Sequence, residues 1–570
     1  MAEQRNKRIR RLLIVTLALA SLLIMGIVWF TLETRINPPE PSDTIILKKK
    51  VIEPSPDFRF IGRNWLQHAN SGLWEMYIEG EAYERGVVNG KLTESLIEQQ
   101  EQAFIDRIRE MVPSDFYLRF LKYFIYWFNR DIDKFIPDEY KLEIFGISQS
   151  ASEKFSFIGT NYQRMLNYHS AHDIGHAMQD FALVGCTSFA AWGGVTKDSS
   201  LIVGRNFDFY MGDEFAENKI VLFEKPESGI PFMMVTWGGM IGTVTGMNLK
   251  GLTVTINAAK SDIPYTARTP ISILAREILQ YAANISEAYA IANKHKTFVS
   301  ESILVGSSAD SKAAIIEKSP FGIALVMPTS DIITCANHFQ SLLFSTDPLN
   351  IKNKTENATV YRQERLKQLI SDQMPLDVQS FASILRDRYG INRTQMGMGN
   401  EKAINQLIAH HSVIFKPTQC LAWVSTGPWQ TGSYVCYDLY KIFNNFAALQ
   451  QKREITETGQ LISPDTFLNS TEYKHFLYFK EMRKTLISKL KDEETGTIEA
   501  PFLTEFVASN PEYFEVYALT GDYYLQVKDW AAAARNYRIA LHKVIPRWSE
   551  KEAIIRKLAL CNVELQTNTQ

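Results

Sequence analysis

The feature that most constrains this chain is a change of texture at residue 186. Ahead of it, from about Phe58 to Gln179, apolar residues recur mainly at helical spacing, with amphipathic stretches at Lys91 to Met111 and Tyr117 to Phe128. Beyond it short β-rich runs follow one another: Leu201 to Phe207, Ile220 to Glu224, Phe232 to Trp237, Leu252 to Asn257, Ser302 to Gly306, Ala313 to Glu317, Ile323 to Met327, Val413 to Phe415 and Leu421 to Val424. Between them Pro270 to Ala283 and Val378 to Arg388 read as helices. Strands, then helices, then strands again are the pattern of an α+β fold, layered sheets with helices outside, and not of a parallel doubly wound sheet. After about Phe446 the strand-like runs stop and helical spacing returns.

Leu12 to Leu32 is an uncharged apolar run of 21 residues, about the ~20 that a helix needs to cross a bilayer. Arg5, Lys7, Arg8, Arg10 and Arg11 precede it, while Glu33 and Arg35 follow. The positive-inside bias then gives a membrane signal anchor with the N-terminus cytoplasmic and the body extracytoplasmic, periplasmic or lumenal. A cleaved signal peptide, and so a secreted body, is the alternative, although Trp29-Phe30-Thr31-Leu32 is a poor cleavage site. The expected divisions are a basic segment at 1–11, the transmembrane helix at 12–32, a linker at 33–57, a helical segment at 58–185, a strand-rich body at 186–445 and a helical tail at 446–570. In the tail, Leu519 to Tyr524 followed by Trp530, Ala534, Tyr537, Ala540, Leu541 and Pro546 resembles one tetratricopeptide (TPR) unit. One unit cannot bury both its faces, so a hairpin packed on its own body is expected before a peptide-binding array.

Lys+Arg of 61 against Asp+Glu of 63 leaves a net charge of -2, without the basic excess that draws proteins to nucleic acid. Cysteines at 186, 335, 420, 436 and 561 contain no CxxC pair and are too scattered for a disulfide scaffold or zinc knuckle. Cys335, Cys420 and Cys436 fit packing positions.

Cys186 is different. Gly185-Cys186-Thr187-Ser188-Phe189 sits at the change of texture, and Gly204-Arg205-Asn206-Phe207-Asp208-Phe209 follows on the next strand. A thiol attacks only as thiolate, and a free pKa near 8.5 calls for a base or a positive neighbour. If Cys186 became a chain terminus, its own α-amine, with a pKa of about 7.7–8.0, would take the thiol proton, and nucleophile and base would be one residue.

Further motifs stand in order around this pair. Upstream are Gly80-Glu81-Ala82-Tyr83-Glu84-Arg85-Gly86 with Gly90, and Glu143-Ile144-Phe145-Gly146-Ile147. Downstream are Thr334-Cys335-Ala336-Asn337-His338-Phe339, Tyr361-Arg362 to Leu366, and His411-Ser412-Val413-Ile414-Phe415. The ordered set, over roughly residues 73–440, resembles the isopenicillin N acyltransferase (acyl-CoA:6-aminopenicillanic acid acyltransferase) and choloylglycine hydrolase family of N-terminal-nucleophile (Ntn) hydrolases.

The resemblance implies a four-layer αββα sandwich behind a helical propeptide. It implies autocatalytic cleavage at Gly185–Cys186 and attack on a linear non-peptide carbon–nitrogen amide through a Cys186 thioester. Arg205 and Asp208 would orient thiol and amine, Asn257 and Asn337 would donate to the oxyanion, and Arg362 would be the site arginine, with Arg365 able to fill the same place. No cofactor or metal is called for. The family contains both hydrolases and acyltransferases, so transfer of the acyl group to an amine stays open. A non-catalytic scaffold using the helical tail as a protein contact is the reading from another class.

Strand alternation places Asn257 with Thr253 and Thr255 on the more polar face of its run. Strict alternation would send Arg205 and Asp208 to opposite faces, so both line one site only if the strand ends or bulges between them. Phe207, Phe209, Tyr210, Phe232 and Trp237 suit a substrate with an apolar acyl group. His169, His172 and His176 share a helix face with Asp173 nearby, and polar packing is the expectation there over a metal site.

Overall fold

The architecture is that of a computed structural model, which describes residues 2–111, 114–170, 185–261, 267–444, 454–491 and 498–567. Two sheets stack face to face. The larger, of eleven strands, runs from Ile52–Ser55 at one edge to Gly322–Val326 at the other, and its one parallel pair is Trp74–Gly80 beside Ile220–Pro226. The smaller has six antiparallel strands in the order Ile332–Cys335, Thr187–Ala191, Ile202–Phe207, His411–Lys416, Leu421–Ser425 and Tyr434–Asp438.

Alternation along the strands builds the layers. Val221, Phe223 and Leu304 of the large sheet interlock with Ala190, Val203, Val413 and Val424 of the small one. On the far side of the large sheet Leu222, Val254, Ile256 and Ile303 meet Val88 and Leu92 of helix Ala82–Met111 and Leu274 and Ile278 of helix Ile271–Tyr281. On the far side of the small sheet Phe189, Ile202 and Ile414 meet Leu366 and Ile370 of helix Thr359–Gln373 and Phe381 of helix Val378–Leu385. Helix, sheet, sheet and helix follow in order. Each large apolar side chain so buried contributes roughly 1.5–3 kcal/mol before the entropy of ordering it.

The β-rich runs read from the sequence are strands, but the region ahead of Cys186 is not all helical. Phe58–Ile61, Asn64–His68 and Trp74–Gly80 are strands of the large sheet. Their neighbours in sequence are buried on opposite faces, Trp65 and Tyr77 between the sheets, Leu66 and Ile78 under the helices. A strand buried on both sides shows no alternation of apolar and polar residues, so its period is invisible in sequence. Thr187–Ala191, all five residues buried, escapes for the same reason.

The upstream motif glycines have a steric explanation. Helices Ala82–Met111 and Asp138–Ser148 cross with their backbones touching: a Cβ on Gly86 would lie 2.0 Å from the Glu143 carbonyl oxygen, and one on Gly146 would lie 2.6 Å from that of Tyr83. Beside the crossing, buried Arg85 pairs with Glu143 and with Glu224 (2.8 Å each), and Arg276 of the body adds a second arginine to both carboxylates. Breaking one partner out of such a buried group typically costs about 3–5 kcal/mol.

Helix Ala2–Glu33 contains a segment of mean hydropathy 2.6, long and apolar enough to cross a membrane or to serve as a signal sequence. The tail consists, among the described residues, of helices Thr471–Lys491, Ala500–Ser509, Phe514–Gln526, Trp530–His542 and Trp548–Thr567. It packs on the body, with Phe476 and Phe479 in one apolar cluster with Leu407, Ala409 and Trp429. The ion pairs Lys480–Asp213 and Arg547–Glu401 add to this contact.

Candidate active site

Cys186 stands at the head of strand Thr187–Ala191, 1% exposed, between the two sheets' inner layers and the aromatic cluster of Phe207, Phe209 and Phe215. The neighbouring strand Ile202–Phe207 pairs Arg205 with Ser188, which sets the guanidinium beside the thiol: Arg205 Nη2 donates to Cys186 Sγ at 3.5 Å. The rest of that guanidinium is fixed by the opposite sheet, donating to the carbonyls of Val244 and Ile256 and to Thr245 Oγ1. His411 reaches the same Thr245 hydroxyl at 2.8 Å.

The strand ends at Phe207, so Asp208 is freed from the alternation that would have turned it away from Arg205. Its carbonyl oxygen accepts the Gly185 amide proton at 2.9 Å, and its carboxyl is wholly buried, with Oδ1 lacking a hydrogen-bond partner among the described residues. Burial pushes this carboxyl up to about 8, against the pull of Arg362 and Arg205. Burial likewise pushes the Cys186 thiol up to about 11, Arg205 opposing it. In the uncut chain the thiol is therefore protonated at neutral pH, and attack requires a base.

Asn257 lies on the inner face with Thr253 and Thr255, as alternation requires: its Oδ1 accepts from Ser188 Oγ (2.7 Å), and its Nδ2 donates to the Cys335 carbonyl (3.2 Å). Asn337 Nδ2 donates to the Ala258 carbonyl (3.1 Å) and its Oδ1 accepts from Arg362 Nη2 (2.5 Å). Each amide has one further N–H. Arg362 also donates to the Glu401 carbonyl (2.8 Å). Arg365 instead grips Asp387 through two bonds of 2.9 Å, away from these residues. Cys186, Arg205, Asp208, Asn257, Asn337 and Arg362 thus converge from both sheets and one helix.

Two participants carry no sequence signal. Thr245 links Arg205 to His411, and Gln406, 2% exposed, donates from Nε2 to the Gly185 carbonyl oxygen at 2.7 Å. Gln406 sits in a loop without periodicity, so only the folded chain brings it to residue 185. The approach is close: a Cβ on Gly185 would lie 2.6 Å from Gln406 Nε2 and would displace the glutamine side chain.

An apolar pocket opens past Asp208, lined by Phe104, Met165, Phe209, Phe215 and Trp237, with a cavity of about 50 Å³. His169 gives Nδ1 to the Met165 carbonyl (2.7 Å) and accepts the Ile241 amide at Nε2 (3.0 Å), and burial holds it neutral, lowered to about 4. Both nitrogens serve packing; His172, Asp173 and His176 lie outside the described residues.

Part of the chain is similar to a family of acyl-transferases. In particular, residues 195–427, less than half the chain and starting beyond Cys186, match the family model for acyl-coenzyme A:6-aminopenicillanic acid acyl-transferase. Among solved structures, the N-acylethanolamine-hydrolyzing acid amidase ortholog of Caenorhabditis elegans is 17% identical over 41% of this chain and 93% of that one, with a TM-score of 0.31. The C2A mutant of the conjugated bile acid hydrolase of Clostridium perfringens is 12% identical over 45% and 93%, also at 0.31. No curated protein matches significantly.

Proposed function

We propose that the chain matures by cutting itself at Gly185–Cys186 and that Cys186, as the new N-terminus, is the nucleophile of an amidohydrolase acting on a linear non-peptide amide. The observation that carries this reading is the setting of the Gly185–Cys186 peptide. Its thiol faces the Arg205 guanidinium, and the amide of Gly185 is held by Asp208.

In the cut enzyme the α-amine of Cys186, with an ordinary pKa of about 7.7–8.0, accepts the thiol proton. Asp208, whose Oδ1 has no hydrogen-bond partner among the described residues, is the counter-ion for the ammonium that results. The thiolate attacks the substrate carbonyl. Asn257 and Asn337 donate to the oxyanion, a contribution typically worth about 2.7–4 kcal/mol for one donor. Collapse expels the amine, which takes the proton held by the ammonium, and water then hydrolyses the thioester. Arg362 fixes the Asn337 amide through its Oδ1.

Transfer of the acyl group to a second amine is the other reading, favoured by the match to an acyl-transferase family model. The neighbouring aromatic pocket suits an apolar acyl group that is small, or one admitted after the chain is cut. The apolar N-terminal helix is read as a signal anchor that leaves the body extracytoplasmic.

Denaturing electrophoresis with N-terminal sequencing tests the proposal. Purified wild type should yield a fragment beginning at Cys186, and Cys186→Ala should stay intact. A wild-type chain that remains full length under conditions in which it is folded refutes self-cleavage. Release of amines from N-acyl amino acids, bile conjugates and penicillins then sorts the substrate class.

A further inference from the structure

Gln406 does something that neither the motifs nor the substrate site explains. Its side-chain amide is buried, it donates to the carbonyl oxygen of the peptide proposed to be cut (2.7 Å), and it reaches Asp208 Oδ2 at 3.4 Å. We propose that Gln406 is the oxyanion donor of the self-cleavage step, a role separate from that of Asn257 and Asn337 toward substrate. The inference rests on the self-cleavage reading and deepens it.

The loop is built to hold that amide in place. On one side the Ile404 carbonyl accepts from Asn206 Nδ2 (3.1 Å), and the Asn405 amide donates to the Asp387 carbonyl (2.8 Å). On the other, the Leu407 amide donates to Asn405 Oδ1 (2.9 Å), and Leu407 takes a left-handed backbone (φ +56°) that a leucine rarely adopts. Such conformations persist where the surroundings over-determine them, and here they are fixed by Leu407 and Ala409 packing with tail residues Phe476 and Phe479. Asn206, the middle residue of Gly-Arg-Asn-x-Asp, also donates to the Leu385 carbonyl and so positions the loop.

The step balances as follows. Cys186 Sγ loses its proton to Asp208 and bonds to the Gly185 carbonyl carbon; the carbonyl oxygen takes up the electron pair and is met by the Gln406 N–H. As the C=O re-forms, the C–N bond breaks, and the Cys186 nitrogen leaves with the proton from Asp208. Water hydrolyses the resulting thioester, giving the Gly185 carboxylate and the free Cys186 thiol. The net reaction consumes one water. A donor already on the ground-state oxygen strengthens as charge develops there.

Gln406→Leu and the isosteric Gln406→Glu separate this role from simple support. Both should slow the appearance of the Cys186 N-terminus by about 10²–10³-fold, the usual loss of one oxyanion donor. Gln406→Glu should recover relative to wild type as pH falls, because a protonated carboxyl donates where a carboxylate cannot. In the uncleavable Cys186→Ala background both variants should remain folded at the temperature of the cleavage assay, with Gln406→Leu showing only the small loss of stability expected from one missing buried hydrogen bond. Cutting within threefold of wild type overturns the inference, as does slowing in Gln406→Glu that is the same at every pH. So does slowing in Gln406→Leu accompanied by unfolding at the assay temperature in the Cys186→Ala background. If wild type itself does not cut, the self-cleavage reading fails instead, whatever the variants do.

Discussion

Asp208 is the residue on which the proposed chemistry and the stability of the uncut chain pull in opposite directions. Its carboxyl is pushed up to about 8 by burial, against roughly 3.9 for a free aspartate. Between those two values the folded chain keeps a proton that the unfolded chain gives up, so stability falls as pH rises from about 4 to about 8. In the Cys186→Ala background the unfolding temperature should drop over that window, and Asp208→Asn should make the drop smaller, with the carboxyls of Glu75, Glu224 and Glu550, also raised by burial, supplying the rest; an equal drop in both would show that the Asp208 carboxyl does not titrate there. Self-cleavage should speed up as pH approaches 8 to 9, where Asp208 is ionised and free to take the thiol proton. Cys186, Arg205, Asp208, Asn257 and Asn337 stood out in the sequence through the ordered motifs that carry the family resemblance. Arg362 and Arg365 were not separable, since residues three apart share a helix face. Packing distinguishes them, by giving Asp387 to Arg365 and Asn337 to Arg362.

Elements were legible in proportion to how unevenly their faces are buried. The strand Leu252–Ala258 alternates aliphatic residues under the helices with Thr253, Thr255 and Asn257 toward the other sheet, so its polar face and its site residue could be read together. Strands Asn64–His68 and Thr187–Ala191 are covered on both faces and gave no such signal. The helix pair Ala82–Met111 and Asp138–Ser148 offers a test at this scale. Gly86→Ala places a Cβ 2.0 Å from the Glu143 carbonyl oxygen, and the forced separation should cost at least about 1–3 kcal/mol. Gly459→Ala, where nothing lies within 4 Å, should change stability by less than about 0.5 kcal/mol. A comparable fall in unfolding temperature for both would refute backbone contact at the crossing.

At the scale of the whole molecule, the bond proposed to break does not divide the fold. Strand Trp74–Gly80, ahead of Cys186, pairs along its length with Ile220–Pro226 beyond it, and Arg85 shares Glu224 with Arg276 from the other side of the cut. The two products should therefore co-elute on gel filtration in native buffer and separate only in denaturant. Products that separate without denaturant would show that the parallel pair and the buried ion cluster do not hold them. The tail belongs to the same body. Through Glu401, which pairs with Arg547 and whose carbonyl receives Arg362, and through Leu407 beside Gln406, it buttresses the loops that face the proposed cleavage site.

By itself the sequence determined the order of its parts: an apolar segment long enough to cross a membrane, a cysteine at a change of texture, and motif residues spaced along strands and helices. These are set by neighbours close in the chain, where periodicity and spacing act. The tertiary structure decided what depends on distant segments meeting. It put four strands from ahead of Cys186 into the large sheet, ended strand Ile202–Phe207 before Asp208, and gave Arg362 and Arg365 different partners. It also carried Gln406 across the fold to the Gly185 carbonyl. No local pattern encodes such a contact, because it is fixed by the stacking of two sheets and the docking of a helical tail.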